Sequence, residues 1–178
     1  MNLTSYTVGH IDPWWDDQFK KLNFIYTPHK SPDDIARWHQ EGYPTTSRFE
    51  GKYYDMRQYT PDFALPFLNL FDWDNTAISF FRMASGDMIP KHRDHYTRFR
   101  EIFKVDNVKK INRCIVFLED WKSGHYFEII DNAIVNWKAG DFVVWNSDTP
   151  HMAANLGVEP RYTLQITGIT KNKTADTL

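Results

Sequence analysis

From residue 77 onward, hydrophobic positions come in short runs rich in branched and aromatic residues, separated by turn formers. The runs 78–83, 111–118, 125–130, 133–137, 141–145 and 161–167 have the length and composition of strands. Ile129-Ile130-Asp131-Asn132-Ala133-Ile134 sets an Asp-Asn turn between two apolar pairs and predicts a tight hairpin. Lys138-Ala139-Gly140-Asp141 separates the next two strands. The stretch from His95 to Lys110 is polar and charged, and predicts a helix or loop inserted between strands.

Residues 1–75 are different in texture: turn formers, Pro, Asp, Trp and Tyr, with little period-two alternation. They predict a covering layer with short helices. One helix start is explicit there, where Ser31-Pro32-Asp33-Asp34 supplies a cap, a first-turn proline and two first-turn acids ahead of Ile35-Ala36-Arg37-Trp38-His39. Regularly spaced short strands with helices mostly near the start predict a mainly β barrel or jelly roll. With 178 residues, the expectation is one domain: a layer over 1–75, a β core over 77–168 and a tail over 169–178.

Composition narrows the classes. Lys and Arg number 21 against 23 Asp and Glu, so no global field favours nucleic acid or an anionic membrane. A single cysteine, Cys114, rules out an intrachain disulfide, and its place in Cys114-Ile115-Val116-Phe117-Leu118 suits a core thiol. No apolar run approaches the ~18 residues of a membrane span, and the amino terminus lacks a basic and apolar leader. A reducing, cytoplasmic setting and no membrane partner are expected.

Among seven histidines, His92 and His151 stand out by context. If Lys91-His92-Arg93-Asp94 is extended, His92 and Asp94 project from one face and can offer an imidazole and a carboxylate to one ion. His151, from a distant strand, supplies a second nitrogen. Two nitrogens and one carboxylate leave adjacent positions open, as non-haem Fe(II) requires for a chelating cosubstrate and dioxygen. Ten residues after His151, the run Arg161-Tyr162-Thr163-Leu164-Gln165 puts Arg161, Thr163 and Gln165 on one strand face. A guanidinium fork with a hydroxyl two residues on suits the far carboxylate of a dicarboxylic keto acid.

This pattern resembles the catalytic half of the Fe(II)/2-oxoglutarate-dependent oxygenases over about residues 78–168: His92-Arg93-Asp94, then His151, then Arg161-Tyr162-Thr163. The wording of Lys138-Ala139-Gly140-Asp141, His151-Met152-Ala153-Ala154-Asn155 and Arg161–Gly168 is also similar to oxygenase-like proteins of marine cyanobacterial phages, which would place the protein in a host cytoplasm. The resemblance implies a double-stranded β-helix of jelly-roll, cupin-like form, with Fe(II) on His92, Asp94 and His151 and 2-oxoglutarate on Arg161 and Thr163. It implies a dioxygenase, in the usual case a hydroxylase, that turns 2-oxoglutarate into succinate while oxidising a small molecule or a peptide side chain.

Other residues leave alternatives open. Arg113 stands alone as a charge in an apolar run, and contacts 2-oxoglutarate, an acidic substrate group or a structural ion-pair partner. Between Lys91 and Arg113, eight basic residues face three acids, an excess that admits an anionic substrate or nucleic acid, with Tyr96 and Phe99 as stacking partners, but suits a solvated loop better. Trp14-Trp15 and Tyr53-Tyr54 read as packing before ligand contacts. His95 is off-phase with His92, and His125 and Glu128 fall on opposite strand faces. The rival readings are a cupin-like metal protein that does not use 2-oxoglutarate and a non-catalytic barrel that binds a ligand or partner.

Overall fold

The computed structural model describes residues 6–55 and 59–171. Its strands are β1 (Tyr6–His10), β2 (Ile25–Pro28), β3 (Arg48–Asp55), β4 (Trp73–Met83), β5 (Asp87–His92), β6 (Ile111–Phe117), β7 (His125–Ile129), β8 (Asn132–Ile134), β9 (Asp141–Asn146), β10 (His151–Asn155) and β11 (Arg161–Thr170). Two α-helices, α1 (Pro32–Gln40) and α2 (Thr97–Phe103), and three 3-10 turns complete it. No described helix is long and apolar enough to cross a membrane.

The strands run in the order β1-β9-β6-β11-β4-β3-β5-β10-β7-β8, with β2 beside β3. The larger face, β1-β9-β6-β11-β4, opposes the smaller one, β5-β10-β7-β8, across a shared interior: a double-stranded β-helix. β3 joins them, since Arg48 and Phe49 pair in parallel with β5 while 52–55 pair antiparallel with β4.

Alternation explains why both faces of the larger sheet are buried. On β6, Ile115 and Phe117 point into the barrel, where they meet Phe81, Phe127, Val143 and Trp145. Cys114, Val116 and Leu118 point the other way, against Trp15, Phe19, Ala64 and Phe67 from the part of the chain before β4. Cys114 is fully buried, as its apolar run predicts.

The amino-terminal third does cover that outer face, but it is more than a layer. β1 pairs with β9, and β3 stitches the two sheets together. These strands escape the alternation test because β1 is short with an exposed outer side, and β3 includes Gly51, over whose Cα the Phe81 ring lies too closely to admit a Cβ. The helix start at Ser31 holds: the Ser31 hydroxyl accepts from the Asp34 N–H at 3.2 Å.

Three further expectations shift. The hairpin turn is Ile130-Asp131, both at positive φ (48° and 60°), with Ile129 paired to Asn132, rather than Asp131-Asn132. Burial of Phe127 and Ile129 fixes this register, because a one-residue slip would turn both outward. Beyond β8 the strand expected over 133–137 ends at Ile134: Asn136 takes positive φ, and Trp137 turns inward to stack on Phe117 at 4.0 Å. The expected tail begins later, since β11 continues to Thr170; residues 172–178 lie outside the described residues.

Candidate functional site

All six residues singled out from sequence, His92, Asp94, Arg113, His151, Arg161 and Thr163, line one cavity of about 140 Å3 inside the barrel. One ligand atom from each of His92, Asp94 and His151 lies within 4.8 Å of the others. The pairing behind this is direct, because β10 and β5 are antiparallel neighbours with His151 opposite His92.

Asp94 arrives differently from the i, i+2 strand argument, since β5 stops at His92. The chain leaves the strand, and Arg113 on β6 draws the carboxylate inward: Nε donates to Asp94 Oδ2 at 3.1 Å, and Nη2 forms an ion pair with the same oxygen at 3.1 Å. Asp94 Oδ1 lies 3.7 Å from His92 Nε2, and Oδ2 lies 3.9 Å from His151 Nε2.

The two imidazoles are held by the same device. His92 Nδ1 lies 2.8 Å from the Pro90 carbonyl and His151 Nδ1 lies 3.0 Å from the Thr149 carbonyl. A carbonyl only accepts, so each Nδ1 carries the proton and each Nε2 presents its lone pair to the cluster. Burial, then the neighbouring His92, pushes His151 down to about 4, which keeps it neutral and ready to ligate. Burial alone would raise the Asp94 carboxyl; the Arg113 guanidinium beside it overcomes this and holds the group well below the usual carboxylate range. A neutral-imidazole pair with an ionised carboxylate suits a divalent ion with open coordination positions.

At the other end of the cavity lies Arg161, only 2% exposed. Its guanidinium lies 5.5 to 6.0 Å from the ring centres of Trp137, Phe117 and Phe127, and Nη1 lies 3.4 Å from Met83 Sδ. Nε and Nη2 have no partner among the described residues, and neither has the Thr163 hydroxyl two residues on. Burial with no acid beside it pushes Arg161 down to about 9. Three orphaned donors on one strand face, in a cavity, are groups that could receive an anion.

Arg113 is satisfied within the protein. Besides Asp94, it donates through Nη1 to Thr167 at 2.7 Å and Gln165 at 3.3 Å, and its guanidinium lies 5.0 Å from the Tyr96 ring centre. The ion-pair reading of this residue is the one the geometry supports.

The excess of positive charge around it is also taken up locally. Lys91 pairs with Glu128 and Asp131, Arg93 with Asp148, and Arg98 with Glu101. His125 bonds the Glu159 carbonyl, and Asn155 ties Met83 to Glu159, so both serve the scaffold.

The cavity has lining residues that the sequence did not single out as ligand contacts: Tyr53, stacked on Phe81, Trp145 beside His151, and His29. Tyr53 reads as packing in sequence, and Trp145 only as the end of a strand. His29 enters from the first third of the chain, fixed by Asp34 of α1 at 3.0 Å, a contact that no local pattern announces.

Comparison with known proteins bears on both fold and family. A Pseudomonas putida prolyl-4-hydroxylase superposes with a TM-score of 0.54 at 14% identity, over 88% of this chain and 97% of that one. A predicted oxalate decarboxylase of Thermotoga maritima (TM-score 0.44, 12% identity, 69% of this chain and 84% of that one) is too distant in shape to carry an argument. The same holds for a cupin superfamily protein of Desulfitobacterium hafniense (0.37, 19%, 57% and 73%). No curated protein matches the sequence. A family model described as aspartyl/asparaginyl β-hydroxylase matches residues 63–170, a span that contains β4 to β11 and every residue of the His-Asp-His cluster and the arginine seat, and the chain belongs to that hydroxylase family.

Proposed function

We propose that the protein is an Fe(II)- and 2-oxoglutarate-dependent hydroxylase, with His92, Asp94 and His151 as metal ligands and Arg161 with Thr163 as the seat of the far carboxylate of 2-oxoglutarate. One observation carries this reading. Arg161 is fully buried with no counter-anion among the described residues, in the cavity whose other end gathers two imidazoles and a carboxylate. A buried cation without a partner is costly, and a dicarboxylate spanning from the cluster to Arg161 would relieve that cost. A cupin-like metal protein that uses no 2-oxoglutarate would have no need of this cation, which disfavours that rival.

Fe(II) with 2-oxoglutarate supplies oxidation of an unactivated C–H bond by dioxygen, the keto acid leaving as succinate and carbon dioxide. The chain's own tasks are positioning and exclusion of water. The Pro90 and Thr149 carbonyls hold the imidazole lone pairs on the ion. Arg113 holds Asp94 ionised and pointed inward, which lowers the net charge of the site. Arg161 and Thr163 would offer donors to the far carboxylate, and Phe81, Ile89, Ile115, Phe127 and Ala153 line the space between with apolar surface. The family description directs the first substrate screen to aspartyl and asparaginyl side chains.

The test is anaerobic addition of Fe(II) and then 2-oxoglutarate, watching for the weak visible charge-transfer band of the chelate, followed by succinate release in air. The band is expected in the wild type and absent in Asp94→Ala and His151→Ala. No band in the wild type, or an undiminished band in both variants, would sink the reading.

A further inference from the structure

We infer that Trp145 is a further cosubstrate-contacting residue, whose indole Nε1–H donates to an oxygen at the metal end of the bound keto acid. The inference rests on the functional reading above. It begins from a comparison of the tryptophans. The ring N–H groups of Trp15, Trp38, Trp121 and Trp137 each end on a backbone carbonyl, of Leu118, Lys91, His125 and Glu119 respectively, at 2.8 to 3.2 Å. Trp145 is as deeply buried, at 2% exposure, yet its Nε1 has no partner among the described residues. An indole N–H is a donor only, and leaving one buried and unpaired is costly. A phenylalanine would fill the space without that cost.

The position says what the acceptor would be. Trp145 lines the cavity, and its ring centre lies 4.9 Å from that of His151. Across the sheet it is paired with Arg113, which is paired in turn with Thr167. That row lies at the metal end of the barrel. Thr163, in the arginine seat, pairs instead with Phe117, four residues along β6. Trp145 is therefore outside the Arg161 seat, in the row where Arg113 has already committed its nitrogens to Asp94, Gln165 and Thr167. The donor left over in that row is the Trp145 N–H, and an anionic oxygen brought to the metal is the acceptor it suits.

The test uses protein loaded with diamagnetic Zn(II) and 15N-labelled tryptophan, titrated with 2-oxoglutarate. The Trp145 indole resonance, identified by its loss in Trp145→Phe, should move downfield, and its hydrogen exchange should slow on adding the keto acid. Zn(II) alone should not produce this change. Trp145→Phe should weaken 2-oxoglutarate by about five- to fifty-fold in a calorimetric titration while leaving Zn(II) affinity within about twofold. If the variant does not fold, the wild-type resonance, assigned by through-bond correlation, decides alone. Binding of 2-oxoglutarate with no response at the Trp145 N–H overturns this inference and leaves the functional reading standing. Failure of 2-oxoglutarate to bind the wild type overturns both.

Discussion

Arg113 and Arg161 project into the same barrel from neighbouring strands, yet one is answered by the protein and the other is not. Around Arg113, Asp94, Gln165 and Thr167 take up the guanidinium, and Tyr96 covers it. Around Arg161 there are three aromatic rings and a thioether, and two of its nitrogens are idle. The difference separates a charge satisfied by its neighbours from one that the proposed function assigns to a ligand. On the proposed function, stability and function are coupled with opposite sign at the two ends: the Arg113 end is satisfied within the protein, and the Arg161 end would be completed by an incoming anion.

The largest effect that would test this contrast comes from Asp94→Ala. It removes a proposed metal ligand and strands Arg113, so activity should fall below detection, and unfolding by denaturant should show a loss of about 3–5 kcal/mol. Retained stability would mean that the Arg113 pair is not structural. Arg161→Met should do the reverse at the other end. Calorimetry should show 2-oxoglutarate weakened by about 10²–10⁴-fold, the yield of two charge-assisted bonds, with metal affinity unchanged and thermal stability equal or higher. A clear drop in stability would show that the aromatic surround compensates Arg161 without any anion.

Acidity gives a smaller effect on the metal-free protein. His151 is pushed down to about 4 when folded, so the unfolded chain takes up its proton first as pH falls. Stability from this group is therefore full above about 6.5 and is lost progressively toward pH 4, by up to about 3 kcal/mol. Denaturant titrations at stepped pH should show that decline in the wild type and lose this component in His151→Gln. The smallest change is Thr163→Val, which removes one orphaned hydroxyl. It should raise the KM for 2-oxoglutarate by about three- to tenfold, while the unfolding free energy stays within about 1 kcal/mol.

Much of this site was legible in the chain because short-range geometry encodes it. Arg161 and Thr163 share a strand face by the period of two, so that spacing alone brings them to one cavity. His92 and His151 were recognisable by residue type and context. Asp94 reached the cluster by another route than the one its spacing suggested: β5 ends at His92, and the carboxylate is drawn in by Arg113 from β6. Trp145, Tyr53 and His29 carried no local signal, since an aromatic in an apolar run reads the same whether its polar tip meets a carbonyl or a cavity.

By itself, then, the sequence determined the strand-rich core, the capped helix at Ser31 and the ligand types, because propensity, capping and alternation act over a few residues. Tertiary structure alone decided which buried charges are neutralised and which wait. It also brought β1 and β3 into the sheets and set the hairpin turn at Ile130-Asp131. Those outcomes depend on partners 19 to more than 100 residues away in the chain, through side-chain burial and strand pairing that no local window contains.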